Sequence, residues 1–308
     1  MSAAFVAFLL SFVSLFLIYV ILVLALNLQW GQAGIMNFGI AGFFALGAYL
    51  TAMAMVDPTA LAHVDVGLNL PFPAAFVVAV GATGIIAWLV SSLVRLGIEE
   101  LAIITLAFAE LVTVVIENEE WLTGGTMGIF ISSPLDEGLS LLSYNATFAG
   151  ILLATVLLVY YSTRKLNFSQ FGRILNATRQ DEIKAKSLGY HTVSYRVKAF
   201  VIGSMLMAVA GSLYLFFVMR ALPGLYPVSI TFAVWIALIL GGSGNNLGAV
   251  LGVSIYMAID ILAELYLKIP GHPEIGANLT FVIIGLLLII VIIRRPQGIL
   301  GPKRSRYG

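Results

Sequence analysis

The 308-residue chain has no cysteine, which excludes disulfides and thiolate-bound metal. Charge is scarce as well: Asp, Glu, Lys and Arg make up 10% of the residues, against roughly 25% in soluble domains. The net charge of +1 gives no basis for a nucleic acid partner. The three histidines, His63, His191 and His272, fall far apart in expected loops, so no shared metal site is expected. There is no G-x-x-x-x-G-K-[ST] phosphate loop, no H-E-x-x-H and no G-x-S-x-G. The run GGSGNNLG at 241–248 carries the glycines without the lysine, and close packing between helices is its simplest reading. No catalytic residue and no cofactor bound by this chain are expected.

Apolar residues, by contrast, are abundant, at 60% of the chain. They gather into runs near 3–28, 32–55, 72–94, 101–116, 145–162, 198–219, 228–240, 248–268 and 277–293, most close to the ~20 residues needed to cross a bilayer as a helix. The alternating ~10-residue pattern of a membrane β-barrel is not seen. The first run has no basic leader and reads as a span rather than a signal peptide. The second is punctuated by Gly31, Gly34, Gly39, Gly42 and Gly47, and the seventh is short and runs into Gly241, Gly242 and Gly244. Either can be broken or re-entrant where protein covers the backbone. The fold class is therefore all-α and polytopic, with eight or nine transmembrane helices in one domain, 1–308.

Orientation follows from Lys and Arg near the spans. The loop 163–198 carries Arg164, Lys165, Arg173, Arg179, Lys184, Lys186, Arg196 and Lys198, and the tail carries Arg294, Arg295, Lys303, Arg304 and Arg306. Placing both in the cytoplasm and alternating the spans puts 14 of the 16 basic residues inside, leaving Arg220 and Lys268 outside. With an odd number of crossings the N-terminus is then outside and the C-terminus cytoplasmic. The outward loops 57–70 and 117–143 hold Asp57, Asp65, Glu117, Glu119, Glu120, Asp136 and Glu137 and no basic residue.

The long cytoplasmic loop, 163–197, is too short for an independent core, yet its centre reads as a helix near 179–188. Thr178 and Asp181 have the spacing of a capping box, and Gly189 supplies a stop. Asp181 and Glu182 open the helix, Lys184 and Lys186 close it, and Glu182 lies i,i+4 from Lys186, as the macrodipole and pair rules favour. A helix so short is marginal in water and has to dock. It either lies on the chain's own inner face and the lipid headgroups or inserts into a cytoplasmic motor subunit.

Three acids fall inside expected spans: Glu110, Asp260 and Glu264. Charge at depth points by default to function. Asp260 and Glu264 share one helix face toward the outer half of their span, where an interfacial location also accounts for them. Glu110 stands among apolar residues with Thr105 and Thr113 nearby. Asn37, in a glycine-rich span, serves either a helix–helix hydrogen bond or a polar pathway.

Five blocks now carry a resemblance nearly from end to end: LNLQWGQAGIMNFGIAGFFALGAY at 26–49, LAIITLAFAELVTVVIENEEWLTGGTMGI at 101–129, FGRILNATRQDEIKAKSLGY at 171–190, GGSGNNLGAVLG at 241–252 and RRPQGILG at 294–301. In this order and spacing the chain resembles the M-type permease subunit of branched-chain amino acid ABC importers. That resemblance implies a heterodimer with a second, homologous permease. It also implies two cytosolic ATP-binding subunits that hold ATP and Mg, an extracytoplasmic substrate-binding protein, and residence in a prokaryotic inner membrane. It makes the segment with Arg173, Asp181, Glu182, Ile183, Ala185 and Gly189 similar to the loop that contacts the ATPase; the pathway hypothesis for Asn37, Glu110, Asp260 and Glu264 rests on their polarity within the spans alone. The chain departs from the family at Gly31-Gln32-Ala33-Gly34 and Gly125-Thr126-Met127-Gly128, where Gly-Tyr-Ala-Gly and Gly-Pro-Asn-Gly are common. Related permeases carry urea, short amides or other amino acids, so the substrate stays open. An ion-coupled secondary transporter using Glu110 or Asp260 and Glu264 is the rival reading, and a membrane-embedded enzyme is a third with no motif behind it.

Overall fold

The computed structural model describes residues 3–57, 66–131, 141–266 and short pieces between 282 and 301. In chain order these form α1 (Ala3–Leu26), a π-helical turn (Asn27–Gln32), α2 (Ile40–Met55), α3 (Phe72–Val90), α4 (Ile98–Asn118), α5 (Glu120–Thr123), β1 (Ile129–Phe130) and α6 (Leu141–Phe168). They continue with α7 (Gln170–Gln180), α8 (Glu182–Ser187), α9 (Thr192–Val218), β2 (Arg220–Ala221), α10 (Ser229–Gly241) and α11 (Asn246–Tyr266). Among the described residues six helices are long and apolar enough to cross a membrane, and α2 is a shorter apolar helix. The all-α polytopic class holds; among the described residues the strands are one two-residue antiparallel pair, Ile129 opposite Ala221. The ninth expected span, 277–293, lies largely outside the described residues.

The centre of the molecule is the second half of α1. Ile21 through Gln29 are all at most 1% exposed, so this helix is apolar on every side, as a helix enclosed by others must be. It packs against α6, α9, α10 and α11. The π-turn that follows holds three amide side chains, Asn27, Gln29 and Gln32, all buried. It ends in an irregular stretch, 33–39, in which Gly34 takes φ +66°. The expected span 32–55 is accordingly divided: its helix starts only at Ile40.

Small residues bring the other helices together. A methyl at Gly47 would meet the Ala208 carbonyl and one at Gly211 the Phe44 carbonyl, so α2 and α9 touch backbone to backbone. The contact is stitched by Thr51 Oγ1 donating to Ser212 Oγ at 2.7 Å. At the α10–α11 hairpin, Gly241 lies on the Gly248 carbonyl and Gly252 on that of Ala237. This accounts for the glycine run as packing, in line with the small-residue rule for membrane helices. The exposed sides of α3, α4 and α6 carry Ile85, Trp88, Ile103, Leu111, Val114, Leu157 and Leu158, an apolar belt suited to lipid or to another membrane subunit.

Candidate functional site

The polar segment forms two helices and a corner. Ser169 caps α7, its Oγ accepting from the Gly172 N–H at 3.4 Å, and α7 buries Ile174 and Leu175. The chain then leaves helical geometry at Asp181, with φ −157° and ψ 99°. A single helix over 179–188 is therefore replaced by α7 ending at Gln180 and α8 starting at Glu182. The expected capping box is corrected with it. Thr178 is buried inside α7 and donates to the Ile174 carbonyl at 2.9 Å, while Asp181 is itself the cap, accepting from the Lys184 N–H at 3.0 Å.

Glu182 ties α8 to the body. Its carboxylate meets Lys186 at 2.9 Å, accepts from Thr192 at 3.2 Å and faces the Arg196 guanidinium at 3.5 Å. The Lys186 ammonium above all, then Arg196 and Thr192, hold the Glu182 carboxyl below its ordinary range against the opposing effect of partial burial. The Lys184 backbone N–H and side chain hold Asp181 down in the same sense. Ala185 is buried beneath α8, and Gly189 ends it at φ +87° with its N–H on the Lys186 carbonyl at 2.9 Å. Ile183 and Leu188 stand out from this anchored helix at 78% and 75% exposure. Arg173 does not join the group; it folds back to donate to the Phe168 carbonyl at 3.1 Å.

Sequence reasoning missed what lies under these helices. Asn176 on α7 donates to Gln32 at 2.7 Å, and Arg179 donates to the Gly31 carbonyl while lying over the Trp30 ring. Gln32 donates to the Gly244 carbonyl at 3.0 Å, and Asn27 accepts from the Gly244 N–H at 2.7 Å. Asn27 also donates to Asn246 at 2.9 Å, and Asn246 to Thr163 at 2.9 Å. The network joins α7, the π-turn, the start of α11 and α6. Its signal was the density of amides in LNLQWGQ and GNN within apolar surroundings.

The expected pathway residues fall on three elements, the stretch before α2, α4 and α11. Asn37 is fully buried, donating to Gln29 at 2.9 Å and accepting from the Gly39 N–H at 2.7 Å, which shapes the bend before α2. Glu110 is exposed on α4 beside Leu111 and Val114, on the belt rather than in the bundle. Asp260 is exposed on α11; the Glu264 side chain lies outside the described residues.

Residues 8–292 match the family model for branched-chain amino acid transport system permease components. This chain belongs to that permease family. Among its relatives, the probable branched-chain amino acid transport permease LivM of Methanocaldococcus jannaschii is 29% identical, covering 93% of this chain and 91% of its own length. LivM of Escherichia coli is 29% identical over 95% of this chain and 70% of its own length, and LivH of the same organism is 26% identical over 92% and 91%. Both permease types thus match over more than nine-tenths of this chain. As a member of the permease family the chain is a transport subunit, not an enzyme, and the two-helix corner and its amide network are features of a transporter's membrane domain.

Proposed function

We propose that this permease carries branched-chain amino acids across a prokaryotic inner membrane by alternating access. It would be paired with a second, homologous permease and driven by two cytosolic ATPases after an extracytoplasmic binding protein delivers the substrate. The observation that carries the reading is α8: a helix held by Glu182 and Ala185 that presents Ile183 and Leu188 to the outside. An apolar pair on an anchored helix suits the groove of a partner protein. Movement of that partner would reach the bundle through Arg179 and Asn176, which hold the π-turn. The spans are α1, α2, α3, α4, α6, α9, α10 and α11 with 277–293 as the ninth, the N-terminus outside.

The grouping of loops supports this orientation. Residues 30–34, 96–98, 164–191 and 241–247 adjoin one another, and the Ile299 N–H reaches the Leu240 carbonyl at 3.1 Å from the tail. All are segments the positive-inside count assigns to the cytoplasm. The test is uptake of labelled leucine in cells expressing the chain with its partners. Ile183→Asp is expected to abolish uptake and loosen ATPase co-purification while the chain still inserts. Undiminished uptake in that variant overturns the coupling role, and uptake driven by an ion gradient without ATP overturns the importer.

A further inference from the structure

Behind the α7–α8 corner lies a cavity of about 390 Å³, a size that suits a small molecule. Its walls combine three chemistries. Arg196 and Arg179 are cationic, Glu182 is anionic, and Trp30, Leu96 and Ile98 supply an apolar side. Arg196 is the unusual member. Its side chain is 9% exposed, its one acidic neighbour stands at 3.5 Å, and its Nε–H has no hydrogen-bond partner. A buried donor left this way is costly; the guanidinium that carries it lines the cavity, and a guanidinium pairs with carboxylates through charge-assisted hydrogen bonds.

We propose that this cavity is a second binding site, for a free aliphatic α-amino acid reaching it from the cytoplasm. The ligand's carboxylate would meet the guanidinium of Arg196 with Arg179 beside it. Its ammonium group would face Glu182, and its side chain would lie against Trp30, Leu96 and Ile98. A simple inorganic anion would use the arginines but neither Glu182 nor the apolar wall. Because Glu182 also anchors α8, occupancy would hold α8 against α9, and accumulated product would slow further import. The side of the membrane and the substrate class rest on the function proposed above.

The test is binding of labelled leucine to the purified full chain in nanodiscs, where no transport is required. Saturable binding is expected, displaced by isoleucine but not by isoamylamine, inorganic phosphate or acetate at the same concentration. Arg196→Gln should weaken it roughly ten-fold or more, the loss typical of a charge-assisted hydrogen bond. Ile98→Trp, a change at a half-exposed wall residue that leaves the arginines intact, should block it by filling the space. Absence of leucine binding, binding untouched by both variants, or equal displacement by phosphate each overturns the site. In vesicles of the assembled importer, leucine uptake that is indifferent to preloaded leucine overturns the regulation and leaves the transport function standing. Failure of wild-type vesicles to take up leucine overturns the transport function, while the nanodisc measurement still decides the site.

Discussion

Asp181 shows how one residue sets the geometry of the coupling corner. Its extended backbone ends α7 and its carboxylate starts α8, so Asp181→Ala removes a cap that neither Thr178 nor any other cap bond of α8 replaces. A spin label at Ser187, an exposed site, should become more mobile in that variant, and unchanged mobility counts against the cap. Gly189→Ala forces an L side chain into φ +87° at a cost of about 1–2 kcal/mol and should loosen the same label. The acids add a pH dependence. Asp181 and Glu182 both titrate below their ordinary values when folded, so their stabilisation is complete above the ordinary carboxylate range of about 4 and is lost as pH falls through the lowered folded values. The label should therefore be insensitive to acid down through that range and mobilise only below it; loosening near neutral pH would contradict the assignment. The Glu182–Lys186 pair and the Gly189 stop were legible because they depend on spacing within one turn. The cap was misplaced by three residues because the Thr-x-x-Asp pattern does not say which of the two leaves helical geometry. The Arg196 contact could not be read at all, since it forms only when α9 returns beside α8.

At the scale of elements, the decisive joint is the π-turn between α1 and α2. Glycine spacing allowed the second span to be broken or re-entrant, and its helix begins only at Ile40, because Gly34 needs positive φ and Gly31 abuts Asn27 and Gly244. The amide network that stabilises the interruption was not legible: Asn176 and Gln32 lie 144 positions apart and Asn27 and Asn246 lie 219 apart, beyond any local pattern. Asn37 is the one expected site residue drawn into this region, as a neighbour of Gln29. Replacing Asn27 by Leu keeps the branching of the side chain but strands the Gly244 N–H and leaves the Asn246 side-chain oxygen with Asn167 alone, at 3.3 Å. The orphaned N–H costs about 1–3 kcal/mol, so the thermal midpoint in detergent should fall by several degrees. A midpoint equal to wild type would mean that the π-turn is fixed by apolar packing alone. Where the network also transmits motion from α7, uptake should fall further than the stability loss accounts for.

The molecule as a whole is an all-α bundle whose two ends differ in chemistry. Fold class was legible because bilayer thickness fixes helix length, a property of composition along the chain. The two ends are also structurally distinct: the α7–α8 corner, the π-turn and the α10–α11 turn gather at one, whereas the β1–β2 pair joins the segment after α5 to the segment after α9. These are the loops that alternate crossing assigns to opposite sides. The absence of cysteine makes the assignment directly measurable, since any introduced thiol is the only one present. Met127, 70% exposed beside β1, and Ser187, exposed on α8, mark the two ends. A membrane-impermeant maleimide should label Met127→Cys in intact spheroplasts and Ser187→Cys only in inverted vesicles. A third probe, Ile299→Cys, tests the number of crossings. Because Ile299 hydrogen-bonds Leu240 at the α10–α11 turn, it should label with Ser187→Cys, which requires 277–293 to cross once after α11. Labelling of Ile299→Cys with Met127→Cys would make the crossing number even and separate the tail from the coupling corner, and reversal of the first two probes would place α8 beyond the reach of any cytosolic ATPase.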